Sequence, residues 1–171
     1  RKDSSAASDV YKRQHKDFQQ YKGKLDLVFT SPPYFSVERY SHDDTQSWVR
    51  HKKIEDWNTL FLHKAVNNVW KTLRKGGILM VNISDVNATT QTDKGSWSDK
   101  KNLQICDPMN EFIDTFRDSD YLGCIGMEMA SRPNSLGAGT GVETDEKNRK
   151  PEMIRKRTGK FAEPIWIWEK K

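Results

Sequence analysis

Apolar residues recur every four positions through Trp57, Phe61, Ala65, Val69 and Leu73, and Leu60, Leu62, Val66 and Trp70 widen the stripe. That period places them on one face of a helix. A helix is therefore expected from Ile54 to Arg74, closed by Gly76-Gly77 with Arg74 and Lys75 in its last turn. Upstream, Leu25 to Thr30 is a short β-favouring run stopped by Pro32-Pro33, which cannot donate to a sheet ladder. It reads as a buried strand ending abruptly in a loop. Ile78 to Ser84 is a second strand, continuous enough in apolar residues to be covered on both faces. The polar stretch from Asn87 to Lys101 reads as a loop. Asp107-Pro108 opens a further helix, with Asp as cap and Pro at the first helical position, and Met109, Phe112, Ile113 and Phe116 form its apolar face. Tyr121 to Ala130 is a third strand, and residues 131 to 160 are polar and contain glycines. Glu163 to Trp168 is the last strand, with Trp166 and Trp168 on one face, toward a core.

Strands alternating with helices need crossover connections, hence an α/β fold with a mostly parallel sheet. The last two strands have no helix between them and can pair antiparallel as a terminal hairpin with a long loop. No internal repeat or heptad pattern competes.

Length and composition change this picture in only a few ways. With 171 residues there is room for one domain of ordinary size. A charged fraction of 31% against 35% hydrophobic is polar, but six Trp, seven Phe and five Tyr supply enough large apolar surface to exclude wholesale disorder. The net charge of +5 suits a polyanionic partner, and ordinary solubility charge explains it equally well. Cys106 and Cys124 match no metal spacing and His42, His51 and His63 join no carboxylate or Cys pattern, so neither a metal site nor a disulfide scaffold is expected. No apolar run approaches the length of a membrane span and no charged-then-apolar leader opens the chain, so a soluble, cytoplasmic protein is expected. Residues 1–14 lack either periodicity and resemble a translated adapter tail, although a natural disordered terminus would look the same. The expected division is a tail over 1–14 and a partial catalytic domain over 15–171, with more chain upstream.

The chemistry is most legible at Thr30-Ser31-Pro32-Pro33-Tyr34, directly after the first strand. Ser-Pro-Pro-Tyr on its own is compatible with a proline turn or a polyproline ligand, but such ligands lie in disordered segments, not at the end of a buried strand. In this context it resembles the Asp, Asn or Ser followed by Pro-Pro-Tyr or Pro-Pro-Phe of amino-methyltransferases that act on DNA. The resemblance covers residues from about 20 to 171 and implies the C-terminal half of a Rossmann-like class I methyltransferase, whose final strand inserts antiparallel, with S-adenosyl-L-methionine as cofactor and DNA as partner. It is closer to small phage-associated enzymes than to restriction-system ones. An exocyclic base amine is a poor nucleophile because its lone pair is delocalised into the ring. Acceptors at the amine hydrogens aim that lone pair, and the resemblance assigns this task to the Ser31 side chain and the Pro32 carbonyl. Pro32 and Pro33 hold the backbone rigid, and Tyr34 stacks on the base once it leaves the duplex, with Phe35 extending the platform. Serine in first place leans toward the 4-amino group of cytosine over the 6-amino group of adenine.

Other candidates follow from position. Asn82 and Asp85 lie at the carboxyl edge of the second strand, where ligands bind in open α/β folds, and are expected at the cofactor beside Ser31. Arg132-Pro133-Asn134 resembles a basic-Pro-Asn loop of the same enzymes and reads equally as a turn, with Arg132 and Asn134 expected at the substrate. The basic cluster from Lys147 to Lys160 is either a phosphate track or a solvated face. A complete enzyme also needs a Gly-containing cofactor loop after a first strand, and nothing before Leu25 supplies it. Gly137, Gly139 and Gly141 offer a permuted substitute, but no apolar strand leads into them, so a mobile loop fits better. A noncatalytic nucleic-acid-binding domain of the same fold is the alternative function.

Overall fold

The computed structural model describes residues 18–37, 43–129 and 161–171. The tail, His42, Arg132, Asn134, the glycines at 137, 139 and 141 and the basic cluster from Lys147 lie outside the described residues.

The chain builds β1 (Leu25–Thr30), α1 (Ser47–Arg50) and α2 (Ile54–Trp57), which runs through a π-helical turn (Asn58–Leu62) into α3 (His63–Thr72). Then come β2 (Leu73–Asn82), β3 (Val86–Ala88), β4 (Lys101–Leu103), α4 (Cys106–Asp114), β5 (Ser119–Met129) and β6 (Phe161–Lys170). Four strands form one sheet in the order β1-β2-β6-β5, and β3-β4 form a separate ribbon. The sheet is mixed, not mostly parallel as the alternation of elements suggested: β1 and β2 are parallel, whereas β6 is antiparallel to both β2 and β5. The terminal antiparallel hairpin is present as β5-β6. The reason for the difference is placement: β6 inserts between β2 and β5, so one reversed strand turns two of the three pairings antiparallel.

The long helix starts at Ile54 as expected but stops at Thr72, before the glycines. Its end is met from another strand: the Lys170 ammonium donates to the carbonyls of Trp70 and Leu73, satisfying acceptors that a helix terminus leaves open. Gly77 serves β2 instead, because a Cβ there would lie 2.9 Å from the Leu25 and Arg74 carbonyl oxygens. Nor is residues 87–101 only a loop, since Val86–Ala88 pairs antiparallel with Lys101–Leu103.

Alternation along each strand decides the layering. Val28, Leu79, Trp168 and Tyr121 are neighbours across the sheet, as are Thr30, Val81, Trp166 and Cys124. This face carries the core, with Leu79, Val81, Trp166 and Trp168 fully buried and Val66, Met109 and Ile113 of α3 and α4 packed with them. A fully buried Leu or Ile contributes about 1.5–3 kcal/mol by leaving water. The opposite face is different. Leu27 and Phe29 of β1 and Ile125 of β5 are each more than half exposed, and no residue of β1 is fully buried, so β1 is not the buried strand expected; among the described residues it pairs only with β2. No helix among the described residues is long and apolar enough to cross a membrane.

α3 and α4 are joined by a stack of His63 on Phe112, with ring centroids 4.2 Å apart and planes 2° from parallel. His63 Nε2 also meets the Pro108 carbonyl at 3.1 Å, so this half-buried histidine is part of the helix contact. Burial pushes its pKa below the usual value of about 6.5, against an opposing pull from the Pro108 carbonyl. The folded state therefore holds fewer protons than the unfolded chain below that value. Stability is unaffected by His63 at higher pH and falls as pH drops through and below about 6.5. Urea midpoints at pH 7.5 and 5.5 should differ less in His63→Gln than in the unaltered chain. An equal difference in both would place the acid sensitivity elsewhere.

Candidate active site

β1 and β2 run parallel and end together, with Thr30 paired to Val81, while β6 begins at the same edge, with Ile165 paired to Asn82. Topology thus gathers three segments at one edge of the sheet: Ser31–Tyr34 leaving β1, Asn82–Asp85 leaving β2, and Glu163-Pro164 in β6. This is the carboxyl edge, where the strand ends of an open α/β sheet leave a crevice.

The motif turns sharply there. The Phe35 amide donates to the Pro33 carbonyl and the Val37 amide to that of Tyr34, each at 3.0 Å. Phe35 takes a φ of 47°, the left-handed region that a bulky side chain seldom adopts. What holds it is packing: its ring is fully buried and meets Trp57 edge-on with centroids 5.8 Å apart. Phe35, expected beside Tyr34 as an extension of the base platform, is placed in the core under the motif, because the turn reverses its side chain away from the sheet edge. Ser36 Oγ donates to the Thr89 carbonyl and ties the turn to the 86–103 excursion.

Ser31 is exposed, Pro32 is buried, and Pro33 and Tyr34 are half-buried. Neither the Ser31 hydroxyl nor the Pro32 carbonyl has a hydrogen-bond partner among the described residues. Tyr34 is fixed from across the sheet: its hydroxyl donates to Glu163 Oε2 at 3.2 Å. Sequence reasoning did not single out Glu163, and a partner 129 residues away leaves no spacing signal.

Two other candidates sit at the edge but are engaged with the fold. The buried Asn82 amide donates to the Pro164 carbonyl at 3.1 Å and locks β2 to β6. Asp85 Oδ1 accepts from the amides of Ile105 and Cys106 at 2.8 and 2.9 Å, satisfying amide donors at the start of α4. Asp85 thus does the capping that the sequence suggested for Asp107. No group of His, Cys, Asp or Glu able to hold a metal occurs among the described residues. Both cysteines are free, and burial pushes the Cys124 thiol up to about 12, which leaves it an unreactive thiol.

No family model matches the chain, and no curated protein matches it in sequence. Solved structures do match in shape. A candidate DNA modification methylase from Thermus thermophilus, crystallised with S-adenosyl-L-methionine, superposes with a TM-score of 0.50 at 18% identity over 91% of this chain and 52% of its own. Its selenomethionine derivative gives the same score and identity over 49% of its length. The two share a fold over that span. This chain spans about half the length of the structures it matches.

Proposed function

We propose that this chain carries the substrate-side half of an S-adenosylmethionine-dependent methyltransferase that acts on the exocyclic amino group of a DNA base, cytosine ahead of adenine. The observation that carries the reading is the pair of acceptors, Ser31 hydroxyl and Pro32 carbonyl, without partners among the described residues at the carboxyl edge of the sheet. The shared fold with a methylase crystallised with S-adenosyl-L-methionine supports it.

When bound, S-adenosylmethionine supplies an electrophilic methyl carbon. The Ser31 end of β1 fits a place beside it, whereas Asn82 and Asp85 do not, since both side chains already serve backbone groups. This chain's own contribution is orientation. Ser31 and Pro32 would hydrogen-bond the two amine hydrogens, turn the nitrogen lone pair out of the base plane and stabilise the positive charge that builds on nitrogen as the new N–C bond forms and the sulfonium S–C bond breaks, after which one amine proton leaves to solvent. Paired prolines keep those acceptors from reorganising. Tyr34, held by Glu163, offers a fixed ring to the displaced base and offsets part of the cost of unstacking it.

Transfer of labelled methyl from S-adenosylmethionine to duplex DNA, by this chain within a whole enzyme that also carries the cofactor loop, tests this. Ser31→Ala should lower turnover with the fold intact by circular dichroism, and Tyr34→Ala should lose about 1–3 kcal/mol of stacking. Tyr34→Phe, which keeps the ring and loses the hydroxyl with its bond to Glu163, should be milder. Full activity in both alanine variants would reject the assignment. Cofactor and DNA binding without any transfer would return the noncatalytic nucleic-acid-binding reading.

A further inference from the structure

A cleft of about 470 Å³ opens between residues 18–22, the end of β1 and the π-turn-α3 helix, and the motif's chemistry makes no use of it. Its lining sorts by chemistry. Leu60, Phe61 and Val69 give an apolar wall, and Lys22, Lys64 and Lys71 a cationic rim. Among the described residues no carboxylate lines it, and none of the three lysines has an ion-pair partner. The π-helical turn, a rare form that concentrates at functional sites, supplies both Leu60 and Phe61. At its other end the cleft reaches Thr30, the residue joined to Ser31.

An apolar wall under a rim of one charge sign fits an anion with a flat, apolar body. It does not fit the methyl donor, whose sulfonium and ammonium outweigh its single carboxylate and give it the same sign as the rim. The volume of the cleft is in the range of small-ligand pockets. We propose that this cleft seats one nucleotide of the substrate strand beside the base held at Tyr34, with its phosphates against Lys22, Lys64 and Lys71 and its base against Leu60 and Phe61. The assignment rests on the function proposed above and extends it: the chain grips the strand next to the target as well as the target itself. Phosphate contacts of this kind set register and carry no sequence preference, and a base on an apolar wall is tolerant of base identity.

The test is fluorescence anisotropy of a labelled single-stranded oligonucleotide of mixed sequence, titrated with the full chain over a range of salt concentrations. Lys22→Gln, Lys64→Gln and Lys71→Gln combined should weaken binding about tenfold or more at low salt and reduce the slope of log affinity against log salt by about 2, at ~0.7 per phosphate. The same charge change at Lys94, Lys100 and Lys101, on the exposed excursion, should have a smaller effect on both. Leu60→Ser, at a half-exposed position, should weaken binding with the slope unchanged. Equal losses in the two lysine sets would overturn the proposal in favour of bulk charge. An inert Leu60→Ser would reduce the cleft to an anion site, and displacement of the oligonucleotide by polyglutamate as effectively as by unlabelled DNA would point to an acidic peptide; either result overturns it. Binding by the unaltered chain that the cleft substitutions leave untouched sinks this inference alone, whereas no binding of DNA by the unaltered chain removes the proposed function as well.

Discussion

Phe35→Ala is expected to cost about 3–5 kcal/mol of folding stability, the usual toll for deleting a buried aromatic ring, and to abolish any activity that depends on the motif. The ring is fully buried and edge-on to Trp57, which itself packs at 5.2 Å on Phe61 and donates its indole N–H to Ser47. Removing it opens a cavity at the point where α1, α2 and the π turn meet the loop leaving β1. The ring also opposes a backbone penalty, since a φ of 47° costs of order 1–3 kcal/mol in a bulky residue and persists only when the surroundings impose it. Alanine loses the packing and retains much of the penalty, so Ser31 and Pro32 lose the fixed turn behind them. Phe35→Leu separates the two effects: it keeps most of the apolar volume and should recover much of the stability. Urea denaturation of the three proteins checks the order, phenylalanine above leucine above alanine. A stability loss of less than about 1 kcal/mol in Phe35→Ala would show that the turn is held by something other than this ring.

What was legible in the sequence follows the range over which each signal acts. Periodicity is local, so the start of the long helix at Ile54, the apolar side of α4 at Met109 and Ile113, and the paired Trp166 and Trp168 facing the core all appear where the pattern puts them. The motif's position after β1 was equally legible, because two prolines end a strand wherever they stand. The misread features depend on contacts distant in sequence. The helix stops at Thr72 because Lys170 meets its last carbonyls, and Gly77 is needed because β1 passes close by. Insertion of β6 between β2 and β5, which makes the sheet mixed, has no trace in local composition and was to be expected only from the family resemblance. At the site, residue type and edge position suggested ligand roles for Asn82 and Asp85, but a carboxylate or amide at a strand end is as useful to an orphaned backbone group as to a ligand. The sequence offered no means of telling these uses apart, because the groups they serve lie 20 or more residues away. Phe35 was misplaced for a related reason: a reversal at one left-handed residue decides which way the ring points, and nothing in the order Pro-Pro-Tyr-Phe announces it.

Asp85→Ala should cost about 3 kcal/mol of stability, and this is the measurement that separates a cap from a cofactor ligand. One carboxylate oxygen receives the amides of both Ile105 and Cys106, and hydrogen bonds to a charged group contribute roughly 1.5–3 kcal/mol each, with two on one atom not fully additive. Both residues are buried, so the amides lose their partner at a site that water does not readily reach. A negative charge at a helix N-terminus adds a favourable interaction with the helix dipole, and that too is lost. Asn is the informative second variant, because its carbonyl can still accept from the same amides while the charge is gone. A cap predicts Asp85→Asn between the unaltered chain and Asp85→Ala in urea denaturation, with cofactor affinity, measured by calorimetry on a whole enzyme that carries the cofactor loop, following the folded fraction in all three. A ligand predicts the reverse pattern: stabilities within about 0.5 kcal/mol of one another and a fall in affinity for both variants under conditions where each is fully folded. The geometry favours the first outcome, since α4 supplies Met109 and Ile113 to the core, and a helix that loses its start loosens the face on which Trp166 and Trp168 pack.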